Sequence, residues 1–430
     1  MDLLKLYNDS ETVIVQDDVV ITAGELNRLS NNIAGYILDN FKDEEIIGVI
    51  SDNNVYGLIL AVGVALAGKN VLPLSTINSG ITNDYLISQT NCNAFVGYGT
   101  DLDHSDIKNI TSIKDFTSDK TPGSFVVSST GSTGIPKVNV DNALRLSTDH
   151  IYGELNLIYS KMPGVNKKVF YSAPLMSGLT VYLSMIAIKI IPYLTNKIPS
   201  TELMHEIISK NEIDICTGRP TIIERFINQG LDSMAGAKVL ISSGAPLAEK
   251  HIDYCRDRLG IKHMLDFYST TESGALAVRD AIYENKFSLY PHVSIFDVSQ
   301  DGFKVTNDYV DGYYKDGIFY KSFYRFVDDV VEHIGNKIMP LGRIVRKSKV
   351  NGFSISPVFI KEAFIQIKGV IDCNVKIKQT QASSDIITVE YTGIEYSTSD
   401  IIKELSNSLP FYSIPKEIKY IPLEKWGLTK

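Results

Sequence analysis

Apolar runs of strand length alternate with an apolar run of helix length near the start of the chain. Ile46 to Ile50 and Val71 to Leu74 are short β-favouring runs, and Val55 to Ala67 between them is long enough for a helix that ends at Gly68. Strands that alternate with helices in this way pair in parallel and are covered by helices on their faces. The sequence therefore predicts an α/β fold, with a large N-terminal domain of parallel-rich sheets flanked by helices.

Length and composition limit the organisation of the chain and its partners. With 430 residues, 44% of them hydrophobic, the chain can form two or three cores, because single cores stop growing at about 250–300 residues. Its formal net charge of −8 argues against a nucleic-acid partner, which needs a basic surface. The most apolar run, Val55 to Ala67, is shorter than the roughly 20 residues needed to cross a bilayer. We therefore expect no nucleic-acid binding and no membrane span.

The cysteines and the first residues indicate the compartment. The cysteines form no Cys-x-x-Cys pair, so neither a disulfide framework nor a zinc knuckle is indicated. Residues 1–9 lack the apolar segment of a signal peptide. We expect a reduced, cytoplasmic protein. The four cysteines are Cys92, Cys216, Cys255 and Cys373.

The stretch from Ser124 to Lys137 combines a β-favouring run with a loop of hydroxyls and glycines. Glycines let a backbone turn tightly and present amide N–H groups to an anion, while a lysine adds positive charge. The stretch predicts a strand that leads into a phosphate-holding loop, although composition alone also fits a plain surface turn. The candidate phosphate ligands are Thr130, Gly131, Ser132, Thr133, Gly134 and Lys137.

A Walker-type phosphate loop is disfavoured for this stretch. That loop needs Gly-Lys followed by Ser or Thr and then a helix. Here Ile135 and Pro136 separate Gly134 from Lys137, and Val138 follows the lysine.

The order Ser-Thr-Gly-Ser-Thr-Gly-Ile-Pro-Lys, residues 129–137, closely resembles the phosphate loop of the acyl-adenylate-forming superfamily. This family comprises acyl- and aryl-CoA synthetases, peptide-synthetase adenylation domains and luciferases. Thr22 to Leu26 and Leu66 to Pro73 resemble two further family segments at the expected distance. The resemblance implies that the loop and Lys137 hold the β- and γ-phosphates of ATP.

Two later segments resemble the adenine and magnesium motifs of the family. Val239 to Leu247 resembles the strand and glycine turn against which the family lays adenine, and Asp266 to Gly274 resembles Asn-x-Tyr-Gly-x-Thr-Glu-x-Gly. By chemistry alone, the first is a generic strand-to-helix corner, and an isolated Thr-Glu pair is most often a helix cap. The resemblance implies a nucleotide-binding set of Gly244, Ala245, Pro246, Asp266, Tyr268, Ser269 and Thr271, with Glu272 as the Mg²⁺ ligand and with Thr271 and Glu272 also catalytic.

A ribose-binding pair is implied further along the chain. Phe326 to Ile338 aligns with the family segment Thr-Gly-Asp-Leu-Val and places Asp329 on the aspartate that binds both ribose hydroxyls. Asp328 is a rival one residue away. Arg343 resembles the arginine that also reaches the ribose.

After Arg343 the resemblance implies a small mobile α+β domain. The predicted boundaries are 1–343 for the large AMP-binding domain and 344–430 for the small one. Lys349 and Gly352 lie in a segment that resembles the family loop covering the thiol tunnel. The family ends with a catalytic lysine that contacts the substrate carboxylate and the α-phosphate. Lys430 is the candidate here and Lys425 the alternative, because Leu428 occupies the strict register.

The substrate is only partly indicated. Amino-acid-activating relatives hold the substrate ammonium with an aspartate, and none lies between Ser172 and Thr180. This favours a carboxylic acid without an α-ammonium group. Met176, Ser243 and Gly274 are candidate pocket walls by position.

The resemblance implies an acid–thiol ligase that uses ATP and Mg²⁺. It would activate a small carboxylic acid as acyl-AMP, release pyrophosphate, and transfer the acyl group to CoA or to the phosphopantetheine of a carrier protein. Two alternatives stay open. One is a non-catalytic nucleotide-binding relative that acts as a scaffold or regulator, and it draws on Val345 at the family hinge position. The other is an adenylate-forming enzyme with an amine acceptor.

Overall fold

A computed structural model describes most of the residues of the chain. They are 7–51, 54–75, 80–107, 110, 121–128, 138–142, 148–165, 167–171, 182–183, 185–186, 189–195, 200–244, 246–270, 273–307, 310–343, 348–350, 353–355, 357–378, 386–407, 409, 414–423 and 426.

Two large mixed sheets form the centre of the fold. In the eleven-stranded sheet six neighbouring strands, β1, β9, β8, β10, β11 and β12, run parallel. At one side β2 pairs antiparallel with β1, and at the other side β13, β14, β21 and β20 continue the sheet with antiparallel pairings. In spatial order they are β2 (Val19–Thr22), β1 (Thr12–Gln16), β9 (Ile191–Leu194), β8 (Lys168–Phe170), β10 (Ile215–Thr217), β11 (Val239–Ser243), β12 (His263–Thr270), β13 (Gly274–Asp280), β14 (Phe287–Leu289), β21 (Lys337–Arg343) and β20 (Asp329–Ile334).

The seven-stranded sheet has four parallel strands and an antiparallel edge of three. Its parallel strands include those predicted from the apolar runs at Ile46 and Val71. In spatial order the strands are β18 (Ile318–Lys321), β17 (Val310–Lys315), β7 (Val138–Asp141), β6 (Phe125–Ser128), β4 (Asn70–Ser75), β3 (Ile46–Ser51) and β5 (Ala94–Gly97).

The remaining described strands form three small sheets. One contains β15 (Ser294–Ser299), β16 (Gly302–Thr306) and β19 (Arg325–Val327); the second contains β22 (Ser348–Val350) and β23 (Phe353–Ile355); the third contains β24 (Val370–Lys378), β25 (Ile386–Gly393) and β26 (Glu417–Tyr420).

Helices lie between and beside the sheets. Within the described residues they are α1 (Ala23–Asn40), α2 (Val55–Leu66), α3 (Gly80–Thr90), α4 (Thr148–Ser160), α5 (Thr201–Lys210), α6 (Pro220–Gln229), α7 (Glu249–Asp257), α8 (Pro357–Gln366) and α9 (Thr398–Leu405). None of these helices has both the length and the apolar character needed to span a bilayer.

Local sequence signals explain where the first helices begin and how they pack. Thr22 accepts a hydrogen bond from the Glu25 amide, and the Glu25 side chain accepts one from the Thr22 amide, which forms a capping box at the start of α1. The apolar residues of α1 and almost all of α2 are buried together in one core. Gly63 permits this approach, because a Cβ there would collide with the Ile33 side chain.

The residues that follow Arg343 form a core of their own. Ile360 and Phe364 of α8 pack with Ile387 and Val389 of β25 and with Ile401 of α9. This part contains the helices α8 and α9 and the strands β22 to β26, as expected for an α+β unit. This arrangement agrees with a separate small unit, and the boundary at residue 343 stays a prediction. The unit contacts the large part of the chain where β24 meets α6 and where α8 meets β21.

The strand that leads to the predicted phosphate loop is held firmly at its start. The Gly123 amide donates to the Ala65 carbonyl oxygen at 2.7 Å, and the Ser124 amide donates to Oδ1 of Asn70 at 3.0 Å. A Cβ at Gly123 would overlap the carbonyl oxygen of Lys69. The backbone of β6 therefore begins in close contact with the end of α2 and the start of β4.

Candidate functional site

The central strands β11 and β12 of the eleven-stranded sheet bring two predicted segments together at their carboxyl ends. They pair in parallel, with Ser243 opposite Phe267, so their carboxyl ends lie side by side. The turn after β11 starts at Gly244, whose φ of +82° suits glycine. Gly244 and Pro246 are exposed, and a Cβ at Gly244 would meet nothing within 4 Å. The predicted adenine turn is therefore open to solvent next to β12.

The predicted magnesium motif lies at the tip of the hairpin that joins β12 to β13. Thr270 pairs with Gly274 at the end of the ladder. The Ser273 amide donates to Oγ1 of Thr270 at 3.2 Å, and the two hydroxyl oxygens are 2.6 Å apart and buried. Thr271 and Glu272 themselves lie outside the described residues. Thr270 and Ser273, on either side of them, are joined by these hydrogen bonds.

Asp329 lies beside Tyr268, the residue predicted to stack on adenine. The Tyr268 hydroxyl donates to Oδ2 of Asp329 at 2.7 Å, although 61 residues separate them in sequence. Asp329 is 8% exposed and is the direct backbone partner of Arg343 across β20 and β21. The structure thus brings three predicted nucleotide residues together. Asp328, the rival to Asp329, is half-buried in the connection before β20.

Asp266 forms an ion pair that the sequence did not reveal. Both Nε and Nη2 of Arg279 donate to its Oδ2, at 3.0 and 2.8 Å, and the two residues are direct partners across β12 and β13. Burial raises the pKa of Asp266 to about 6, against the opposing attraction of Arg279. The ion pair with Arg279 thus offsets part of the cost of burying this carboxylate.

Arg279 also connects this ion pair to Tyr268 through an aromatic ring. Its guanidinium carbon lies 4.6 Å from the ring centre of Phe287, and that ring is 6.0 Å from the ring of Tyr268. Such cation–ring contacts are attractive. Asp266, Arg279 and Phe287 thus support Tyr268 from within the sheet. Because the register of two strands cannot be read from local sequence, Arg279 was missed.

The predicted phosphate loop joins two neighbouring strands. Ser128, at the end of β6, pairs with Val138, at the start of β7, and the ladder continues to Phe125 opposite Asp141. The predicted strand is confirmed as β6. Residues 129–137, which contain all six candidate phosphate ligands, lie outside the described residues. In sequence they lie between Ser128 and Val138, which are paired.

A side-chain contact links the two large sheets. The Asn307 amide donates to the Ser273 carbonyl oxygen in the β12–β13 connection. Three residues later Val310 begins β17 and pairs with Asp141 at the end of β7. The β12–β13 connection therefore lies beside the seven-stranded sheet, at the end of β7 that is farther from the predicted phosphate loop.

Other predicted site residues are placed only in part. Ser243 ends β11 and Gly274 starts β13, so these candidate pocket walls flank the end of β12 and are half-buried. Lys349 lies in β22 opposite Ser354. The described residues contain no group of three His, Cys, Asp or Glu side chains able to hold a metal. Ala245, Met176, Gly352, Lys425 and Lys430 lie outside the described part of the chain.

Comparison with solved structures shows the class of fold. No protein-family model matches the sequence, and no curated protein does. The three-dimensional structure matches solved structures of MenE, of o-succinylbenzoate CoA synthetase and of MatB over nearly the whole chain, which confirms the predicted fold class.

The solved structures include three enzymes from this fold class. A variant of Escherichia coli MenE with bound OSB-AMS is 14% identical, with a TM-score of 0.78 over 98% of this chain and 94% of that one. ATP-bound MatB from Rhodopseudomonas palustris is 15% identical, with a TM-score of 0.79 over 98% and 94%. The o-succinylbenzoate CoA synthetase of Bacillus subtilis, with its acyl-adenylate intermediate, is 13% identical, with a TM-score of 0.78 over 97% and 93%.

Proposed function

We propose that this chain is an AMP-forming acid–thiol ligase. It activates a small carboxylic acid with ATP as acyl-AMP, releases pyrophosphate, and transfers the acyl group to a thiol. The observation that best supports the proposal is the corner in which Tyr268 donates to Asp329, next to the open turn at Gly244. A flat ring, a buried carboxylate and an accessible turn at the ends of parallel strands suit a nucleoside.

The reaction requires activation of a poor electrophile. A free carboxylate would have to expel oxide, so it first attacks the α-phosphate of ATP, and pyrophosphate leaves. The thiol then attacks the carbonyl carbon of the acyl-adenylate, and AMP leaves with the electron pair of the broken C–O bond. No protein nucleophile is needed, so catalysis depends on positioning and on charge stabilisation.

Each proposed role follows from the chemistry of the side chain. Tyr268 offers its ring to adenine, and Asp329 accepts hydrogen bonds from the ribose hydroxyls. Lys137 and the amides of residues 130–134 bind the β- and γ-phosphates. Glu272 is a hard oxygen ligand for Mg²⁺, which supplies positive charge to the phosphates when bound. A terminal lysine, Lys430 or Lys425, contacts the substrate carboxylate.

The solved neighbours support ATP and magnesium as partners of this site. One structure of the B. subtilis o-succinylbenzoate CoA synthetase contains ATP and a magnesium ion, and the matching MatB structure contains ATP. We extend these ligands to the present chain on the basis of fold and motif order. CoA and a phosphopantetheinylated carrier protein are both candidate acceptors, and a cytoplasmic location stays the sequence-based prediction.

Pyrophosphate release tests this proposal directly. The purified chain is supplied with ATP, Mg²⁺ and a panel of acyl and aryl acids, including α-amino acids as the disfavoured class. We expect release to depend on one class of acid and to fall at least about 100-fold in Lys137→Ala and Glu272→Ala, because both remove charge stabilisation of the phosphates. Lys378→Met, an exposed change in the small unit, serves as the control.

The alternatives give different results in the same assay. ATP binding without release over the whole panel would favour a non-catalytic scaffold or regulator. Release that is stimulated by an amine, but not by CoA or a carrier protein, would favour an amine acceptor. Offering CoA and a phosphopantetheinylated carrier protein in parallel identifies the thiol.

A further inference from the structure

The tryptophan near the end of the chain contacts a buried carboxylate. Trp426 is the only tryptophan in the sequence. Its indole Nε1 donates to Oδ2 of Asp372 at 3.2 Å. Asp372 lies near the start of β24 and is 9% exposed. The contact therefore joins the C-terminal tail to a strand 54 residues earlier.

Asp372 is oriented by further donors from its own unit. Nζ of Lys361, on α8, is 2.7 Å from Oδ1, and the Cys373 amide donates to the same oxygen at 2.8 Å. A buried carboxylate is stable only when it is paired and hydrogen-bonded in this way. Because Oδ1 is held by Lys361 and Cys373, Oδ2 is directed at the indole.

The path of the chain after β26 indicates that the contact between Trp426 and Asp372 holds the C-terminal tail against the small sheet. Tyr420, Tyr391 and Cys373 form one row across β26, β25 and β24. The Ile421 amide donates to the Tyr391 carbonyl oxygen at 2.8 Å, which is the last ladder-like bond of β26. After it the chain must return across two strand spacings, about 10 Å, for Trp426 to reach Asp372 on β24.

We propose that Asp372 and Trp426 anchor the C-terminal tail, and that Trp426 is thereby a positioning residue for the terminal lysine. Lys425 is adjacent to Trp426, and the Cα of Lys430 lies within about 15 Å of it, since consecutive Cα atoms are 3.8 Å apart. Fixing the indole therefore limits where either lysine can reach. The inference rests on the proposed function, in which that lysine contacts the substrate carboxylate and the α-phosphate.

The anchor has a kinetic consequence that separates positioning from stability. The lysine acts when the carboxylate attacks the α-phosphate, so a loose tail slows acyl-adenylate formation. Thioester formation from acyl-adenylate added in advance does not use that contact and should proceed as before. A purely structural role would lower both half-reactions together and reduce the melting temperature.

The single tryptophan allows the contact to be measured without any activity. In Asp372→Asn, iodide should quench the Trp426 fluorescence more strongly than in the unaltered chain, because the indole is released to solvent. Lys378→Met, which breaks an exposed ion pair on the same small sheet, should leave the quenching unchanged. Equal quenching in Asp372→Asn and the unaltered chain would overturn the anchor.

Kinetics then test the positioning role. Asp372→Asn and Trp426→Phe, which keeps an aromatic ring but loses the N–H, should lower kcat for pyrophosphate release roughly 10- to 100-fold, with the KM for ATP nearly constant. Thioester formation from supplied acyl-adenylate should be unchanged. Wild-type release rates in both variants, or a parallel loss in both half-reactions, would overturn the role.

A double-mutant cycle identifies the lysine that is positioned. Asp372→Asn is combined with Lys425→Ala and, separately, with Lys430→Ala. The effect of Asp372→Asn should disappear in the background that lacks the positioned lysine and persist in the other. Additive effects in both backgrounds would contradict the proposal. If the unaltered chain releases no pyrophosphate with any acid, the proposed function fails and the positioning role fails with it, whereas the quenching result still reports on the contact.

Discussion

Asp266 and Asp329 are both buried carboxylates of the eleven-stranded sheet, and each accepts a hydrogen bond from a different kind of donor. Asp266 accepts two hydrogen bonds from the guanidinium group of Arg279, its neighbour on the adjacent strand. Asp329 accepts one from the neutral hydroxyl of Tyr268, far away in sequence. The first contact completes an ion pair inside the sheet. The second orients a carboxylate without adding a positive charge to it.

This difference indicates that buried carboxylates of one sheet can have two roles, one that stabilises the sheet and one that binds a ligand. A carboxylate bound to a cation has its charge balanced within the protein. A hydroxyl donor brings no positive charge of its own, so its contact with a carboxylate does not by itself compete with further donors such as the two hydroxyls of a ribose. We therefore expect Asp266 to act through the position of Tyr268, and Asp329 to contact the nucleotide directly. The following changes test that distinction, from the largest effect to the smallest.

Breaking the ion pair should damage the fold. Arg279→Met leaves Asp266 buried without its cation, so the carboxyl must either carry an uncompensated charge or take up a proton, and we expect the free energy of unfolding to fall by up to about 3–5 kcal/mol. Denaturant titration measures this. Arg256→Met, at an exposed arginine that pairs with Asp253 and Asp257, should leave the denaturation midpoint nearly unchanged. The double variant Arg279→Met with Asp266→Asn should recover part of the loss, and a loss equal to that of the exposed control would contradict a supporting role.

The same carboxylate predicts a pH dependence of stability. Burial raises the pKa of Asp266 from 3.8 to about 6, so between these values the folded state binds a proton that the unfolded state does not. Stability should then fall as pH rises from about 4 to 6, by up to about 3 kcal/mol. Chemical denaturation at pH 4.5 and 6.5, compared between the unaltered chain and Asp266→Asn, measures it. The part of the pH dependence of stability that comes from Asp266 should vanish in the variant. An identical pH dependence in both proteins would contradict the prediction.

Removing the ribose carboxylate should weaken ATP binding with little effect on the fold. In Asp329→Ala we expect the KM for ATP to rise about 100-fold, because two charge-assisted hydrogen bonds are lost. Asp328→Ala, one residue earlier, is the matched control and should change KM less than about twofold. The opposite ranking would show that Asp328 is the ribose ligand.

Removing only the hydroxyl of Tyr268 should give the smallest effect. Tyr268→Phe keeps the ring for adenine but no longer orients Asp329, so the KM for ATP should rise about tenfold. Tyr283→Phe, at an exposed tyrosine of the following turn, is the control. Because the lost bond acts through the ribose carboxylate, the variant should discriminate less between ATP and 2′-deoxy-ATP. If the variant discriminates between ATP and 2′-deoxy-ATP as well as the unaltered chain does, Tyr268 does not act on the ribose through Asp329.

The sequence predicted local elements better than the contacts between them. The helix that ends before Gly68 and the strand that leads into the stretch after Ser128 were predicted because each signal lies within a few residues. The motif order also placed Tyr268 and Asp329 in one site. Arg279 could not be predicted, because its partner depends on the register between two strands.

The same limit applies to the small unit. Its helices and strands follow from local patterns, and the structure has them at the expected positions. The sequence marked Lys425 and Lys430 by resemblance but gave no signal for Trp426, whose role depends on how the tail returns over the sheet. Pairings of this kind are properties of the three-dimensional path of the chain.

Gly123 couples the start of β6 to the packing of α2 and β4. Its lack of a side chain sets the depth at which β6 enters between them, six residues before residue 129, where the predicted phosphate loop begins. An added methyl group would displace the start of the strand, because a Cβ there would overlap the carbonyl oxygen of Lys69. Under the proposed function, Gly123→Ala would therefore alter triphosphate binding from the opposite end of the strand, without changing a residue assigned to the phosphates.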